Sequence, residues 1–245
     1  MNRPVNRPMI AAGVAAILAF AGCGDDSESS TQRRAACDAW IVADTAVINY
    51  LFSGEGDADS VNAALDGAIK AADPDNEQTL IDLKAEAQSQ INDPESDASD
   101  KTLQLYSDSI RWAGKACDLT TIDATAKDYM YQGIPDELST GYQVVNFSNA
   151  GQEQHEMFTF KINDGVTESL DEIFNLPEEE IFGKITPVNA TFALPGKSDT
   201  VSWNLASPGK YAVVCFIPVG SVGETQGDGP PHLSQGMVHQ FTVTS

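Results

Sequence analysis

Positive charge is scarce in this 245-residue chain: Lys and Arg number 14 against 36 Asp and Glu, for a formal net charge of −22. That balance argues against a phosphate-reading surface, which needs clustered Lys and Arg, so no nucleic-acid partner is expected. It also argues against adhesion to anionic lipid through a basic face. Histidine occurs three times and cysteine four times, so any metal or thiol chemistry is confined to very few positions. No Gly-x-Ser-x-Gly elbow, phosphate loop or His-Glu-x-x-His zinc helix occurs, which leaves nuclease, kinase and metalloprotease readings unsupported. Gly 19 and Pro 12 are ordinary usage, and 42% hydrophobic residues suffice to build cores, so collagen-like and wholly disordered classes are set aside.

The apolar run at residues 9–21 is too short to cross a bilayer as a helix. Arg3 and Arg7 precede it without any acid, and Phe20-Ala-Gly-Cys23 ends it, the order expected of an export signal. The segment resembles the bacterial lipoprotein signal, in which cleavage precedes a cysteine that becomes lipidated. The resemblance implies a signal over residues 1–22, lipid on Cys23 and a mature chain more acidic still. Residues 23–34 are then expected to be a lipidated flexible tether, because residues 24–34 are polar and lack an apolar anchor. Anchoring on the outer face of the cytoplasmic membrane would place the remaining thiols in an oxidising compartment.

Over residues 35–118 apolar positions recur at helical spacing: Trp40, Ala43, Val47, Leu51; Val61, Leu65, Ile69, Ala72; Leu80, Leu83, Ala87, Ile91; and Leu103, Tyr106, Ile110, Ala113, Cys117. Asp73-Pro74 and Asp93-Pro94 end the second and third stripes, since a residue before proline avoids the helical region. The spacing predicts a four-helix bundle, with most acidic residues on solvated faces. Cys37 opens the first helix and Cys117 ends the fourth. In an up-down-up-down arrangement both lie at one end, so a Cys37–Cys117 disulfide is expected.

Beyond Cys117 the pattern alternates with period two. Strands are expected at 120–126, 142–147, 157–162, 200–205, 209–217 and 238–243, separated by Gly, Pro and Asn turns. This is the pattern of a β-sandwich. Residues 164–189 read as an acidic insertion. Thr167 is placed to cap a short helix carrying Leu170, Ile173 and Phe174 inward, and Glu178–Glu180 form a solvated loop. With Cys23 lipidated and Cys37 paired to Cys117, Cys215 has no partner. An unpaired cysteine in such a compartment is a reactive thiol, an intermolecular bridge or a metal ligand.

Three segments decide among these: Asn149-Ala-Gly-Gln-Glu-Gln-His155, then Pro208-Gly-Lys-Tyr-Ala-Val-Val-Cys215-Phe-Ile-Pro218, then Gly229-Pro-Pro-His232-Leu-Ser-Gln-Gly236-Met237. Their order resembles the cupredoxin family of blue copper proteins over residues 119–245. The resemblance implies an α + β two-domain chain: the helical bundle, then a cupredoxin-like Greek-key β-sandwich. It further implies one type 1 copper ion held by His155, Cys215 and His232, with Met237 as a weak axial ligand. A soft thiolate with two imidazoles and a distant thioether suits copper in both oxidation states. The implied function is one-electron transfer, without enzymatic activity, to a redox protein partner. The family's interval between cysteine and the second histidine is short. Here residues 219–229 are in excess, and they either loop out or displace His232; displacement would favour a metal-free module for partner binding or envelope assembly. Nucleophilic catalysis by Cys215 with His155 or His232 as base is the enzyme alternative. His239 is expected to be structural or exposed.

Overall fold

The computed structural model describes residues 28–50, 57–92, 99–223 and 225–245; the signal segment and Cys23 lie outside the described residues. Four helices come first: α1 (Glu28–Ile48), α2 (Ala58–Ala71), α3 (Glu77–Asn92) and α4 (Asp100–Ala116). Two begin with side-chain caps. Asp57 accepts from the Ser60 N–H at 2.7 Å and Ser99 from the Thr102 N–H at 3.1 Å, satisfying donors the helix itself cannot. The helices meet around Trp40, Ala43, Val61, Leu65, Leu80, Ile110 and Ala113, all buried, as their periodicity predicts. Leu103 is instead 41% exposed. The helix α4 packs against other helices on one side and against the sheet on another, and Leu103 falls on neither side.

The expected tether is shortened. Residues 28–34 are the first turns of α1 rather than an irregular lead-in. Nothing in Ser-Ser-Thr-Gln-Arg-Arg breaks a helix, and propagating an existing helix is far easier than nucleating one. The Cys37–Cys117 disulfide forms with Cα atoms 5.6 Å apart; because α1 begins earlier than expected, Cys37 lies in its middle rather than opening it, and the bond ties that middle turn to the C-cap of α4. A cross-link closing so long a loop stabilises by about 2–4 kcal/mol.

The β part has two sheets. One has the order β2-β1-β4-β7 and the other β3-β9-β8-β5-β6, formed by β1 (Thr120–Lys127), β2 (Met130–Gln132), β3 (Glu137–Ser139), β4 (Gly141–Asn149), β5 (His155–Ile162), β6 (Ile185–Ala193), β7 (Ser198–Leu205), β8 (Gly209–Val214) and β9 (Val238–Thr244). The pairs β1–β4 and β3–β9 are parallel, and the others are antiparallel. Between the sheets lies a core with Phe147, Val145 and Trp203 from one side and Met157, Tyr211, Val213 and Phe241 from the other. Trp203, Phe241 and Tyr211 stack successively with centroids 5.5 Å apart.

Three details depart from the sequence reading. The acidic insertion runs into the first half of β6, whose Pro187 pairs opposite Phe160 where the β5 register shifts. As the outermost strand of its sheet, β6 tolerates the missing proline N–H. Ser169, not Thr167, caps helix α5 (Leu170–Phe174), in a reciprocal capping box with Glu172. Glu178–Glu180 form the first turn of α6 (Glu178–Lys184) instead of a loop.

Both outer faces of the sandwich are covered. The α5–α6 segment places Leu170 and Ile173 against Phe160, Ala212 and Val214. On the opposite side α4 lies so close to β4 that a Cβ on Gly114 would stand 3.1 Å from Val144 Cγ2. A polar joint links this helical layer to the sheet. Asp44 of α1 is 3% exposed, accepts from the Tyr106 hydroxyl at 2.7 Å and from Ser202 of β7 at 2.8 Å. Burial pushes its carboxyl up to about 6, against the opposing influence of the Tyr106, Ser202 and Tyr142 hydrogen bonds. Asp44 is therefore an exception to the expectation of solvated acids on the helices.

Candidate metal centre

Three loops at one end of the sandwich deliver the donor side chains. The first lies between β4 and β5 and is shaped by Asn149, which is 2% exposed. Its Nδ2 donates to the Glu153 and Ala193 carbonyls at 2.7 and 2.8 Å, and its Oδ1 accepts from the Gly151 N–H at 2.8 Å. A Cβ at residue 151 would lie 2.6 Å from His155 Nε2 and 2.7 Å from Asp128 Oδ1, so the turn admits only glycine beside the ring. His155 then opens β5.

The strand β8 ends at Val214, one residue before Cys215 and earlier than the alternation predicts. His232 starts a short 3-10 turn (His232–Gln235), which Gly236 closes in the left-handed conformation at φ 95°. Met237 follows, directly before β9. The second and third loops are stitched together at their ligands: the His232 N–H donates to the Ile217 carbonyl at 2.9 Å and the Leu233 N–H to the Cys215 carbonyl at 2.8 Å.

Residues 219–223 and 225–229 loop out. Pro218 and Pro231 form an antiparallel bridge, and the Val219 and Gly229 N–H groups donate to the Pro230 and Val219 carbonyls at 3.0 and 3.1 Å. The excess chain thus leaves and returns at one place, and His232 keeps its position beside Cys215. The feature that would favour a metal-free module does not displace a ligand.

His155, Cys215 and His232 converge, with one donor atom from each lying within 4.8 Å of the others. His232 Nδ1 is 3.2 Å from His155 Nδ1 and 3.3 Å from Cys215 Sγ. All three side chains are fully buried. Burial, aided by the neighbouring His232, lowers the His155 imidazole to about 4, so it is a neutral lone-pair donor at ordinary pH. Burial likewise pushes the Cys215 thiol up to about 12, opposed by the Glu156 and Ile217 N–H groups. The Glu156 N–H points at Sγ from 3.2 Å, and such a donor favours thiolate over thiol. Met237 is fully buried in the same apolar cluster as Cys215, and its N–H donates to the His232 carbonyl at 3.1 Å. His239 stands apart, 3.5 Å from the Pro135 carbonyl through Nε2.

The residues fit a metal ion. The Nδ1 atoms of two buried imidazoles stand 3.2 Å apart, one of them 3.3 Å from a buried sulfur, so three lone-pair donors share one enclosed place without a carboxylate among them. A buried His₂Cys set with a thioether available is the donor chemistry of a type 1 copper centre.

No family model matches the chain, nor does any curated protein. Among solved structures, it is similar to the dithionite-reduced auracyanin of the photosynthetic bacterium Roseiflexus castenholzii, at 25% identity and TM-score 0.36 over 51% of this chain and 98% of that one. Auracyanin A, described as a blue copper protein of Chloroflexus aurantiacus, is similar at 17% identity and TM-score 0.35, over 51% and 98%. A copper-containing nitrite reductase of Thermus scotoductus is similar at 11% identity and TM-score 0.28, over 51% and 31%.

One residue at the site escaped sequence reading. Glu153 Oε2 lies 3.0 Å from His232 Nε2, also accepts from the Gly220 N–H at 2.6 Å, and Oε1 accepts from the Tyr129 hydroxyl at 3.2 Å. Tyr129 adopts φ 62° and sets its ring edge-on to His232 with centroids 5.0 Å apart. The only sequence signal of Glu153 is its place two residues before His155, since one acid among many stands out in no composition.

Proposed function

We propose that this chain is an exported, lipid-anchored protein whose β-sandwich holds one copper ion and carries single electrons. The observation that carries the copper reading is the buried convergence of His155, Cys215 and His232. These three would be the strong ligands, and Met237, in the same buried cluster as Cys215, would offer a weak thioether. Bound copper would supply reversible one-electron chemistry. The chain supplies a dry pocket whose donors sit on loops already tied to one another, so gain or loss of an electron demands little rearrangement. A redox protein is the partner this chemistry calls for.

The test is to titrate the full chain with copper(II) and follow the visible spectrum. One equivalent is expected to give an intense thiolate-to-copper band that bleaches on reduction and returns on oxidation. A colourless chain that loses its copper on dialysis overturns the reading. The anchor has a separate test: Cys23→Ser is expected to move the protein from the membrane fraction to the soluble exported fraction. An unchanged distribution would remove lipid on Cys23 from the proposal.

A further inference from the structure

The two histidines of the site differ in what holds the ring nitrogen facing away from the cluster. His155 Nε2 has no hydrogen-bond partner, and the nearest carboxylate, on Asp128, is 3.9 Å away with its side chain 55% exposed. His232 Nε2 is in hydrogen-bonding distance of Glu153, whose side chain is 19% exposed. Glu153 is itself fixed by the Gly220 N–H, the Tyr129 hydroxyl and, through its main-chain carbonyl, Asn149. It therefore joins the β4–β5 loop, Tyr129 and the 219–229 hairpin at one imidazole. The backbone bond from the Gln154 N–H to the Ser221 carbonyl at 2.9 Å reinforces the same junction.

Resting on the copper reading above, we propose that Glu153 is a positioning residue that fixes the tautomer of His232 and lowers the reduction potential of the site. A carboxylate accepts and never donates, so the His232 proton must sit on Nε2. Nδ1 is then a bare lone pair, directed at Cys215 and His155. Such an outer partner fixes ring orientation and makes the ligand more basic. The carboxylate, itself half-buried, also holds negative charge against one fully buried ligand. That charge favours the more positive, oxidised ion, so the potential falls. Asp128, farther off and exposed, exerts a weaker influence of the same sign.

The discriminating variant is Glu153→Gln in the full chain. The glutamine carbonyl takes the Oε2 position, where it accepts from both His232 Nε2 and the Gly220 N–H, and the amide nitrogen donates to the Tyr129 oxygen. Only the charge is lost. At fixed redox poise the reduced-to-oxidised ratio is expected to rise about tenfold, equivalent to about 59 mV for one electron. Asp128→Asn is expected to move it less. Glu153→Ala also removes the acceptor and is expected to weaken copper retention roughly 10–100-fold. Nitrogen-15 NMR of the copper-free chain should find the His232 proton on Nε2. A wild-type chain with that proton on Nδ1, or a Glu153→Gln chain that holds copper at the wild-type potential, overturns the proposal. A wild-type chain that takes no copper overturns the functional reading instead, and the NMR arm then decides the positioning role alone.

Discussion

A Cys215→Ser chain is expected to lose the visible thiolate band completely while remaining folded. Serine is close to cysteine in shape and finds the Glu156 N–H, which now points at Sγ from 3.2 Å, as a hydrogen-bond partner. Its hydroxyl does not ionise to supply the soft, polarisable donor on which the absorption and the tolerance of both copper states depend. The comparison to make is copper(II) titration by absorption and paramagnetic resonance, alongside thermal unfolding of the copper-free proteins. Copper bound with an unaltered band in the serine variant would move the thiolate role away from Cys215. A collapse of the copper-free fold would show that Cys215 is a packing residue first.

Asp44→Asn is expected to stabilise the protein near neutral pH and to flatten its acid-side stability profile. Burial holds the Asp44 carboxyl up at about 6 in the fold, above the 3.8 of a free aspartate side chain. Between those values the folded chain holds a proton that the unfolded chain has released. Stability is therefore highest below the unfolded value and declines as pH rises through about 6. The two titration points correspond to about 3 kcal/mol in all. Asparagine keeps an acceptor for the Tyr106 hydroxyl and offers an N–H₂ to Ser202 Oγ, but it never ionises. Chemical denaturation from pH 4 to 8 is the measurement. The wild-type curve should fall across that range with Asp44's contribution, and the Asn curve should lack that component. Parallel curves would mean that Asp44 ionises in the fold without penalty.

These two residues mark how far the sequence could be read. Cys215 stands out because two other thiols pair across a helical layer that periodicity already reveals, and because its neighbours match a known ligand order. His155 and His232, which the fold brings beside it, follow from the same order. Asp44 gives no such signal. It lies next to Ala43 on an amphipathic helix, where an acid ordinarily faces water, and only the docking of α1 and α4 onto β7 buries it beside Ser202. Glu153 is hidden for a similar reason: its partners Tyr129, Gly220 and His232 are distant in sequence and meet only when the 219–229 hairpin closes. The strand β6 is concealed by Pro187, which local rules count against a strand and an edge position permits. What pairing across long separations decides, local pattern does not display.

The hairpin's footing at Pro218 and Pro231 also has a kinetic consequence. Both the cysteine and the second histidine are attached to the strands that meet there, and none of the three donors is exposed to solvent. An ion in the centre has no aqueous side from which a chelator can take hold of it. Exchange must wait for local opening of the loop, at a rate set by the backbone bonds between Ile217 and His232 and between Cys215 and Leu233. The residence time of an ion held there would thus follow the fold's breathing, separable from the strength of the ligand bonds themselves.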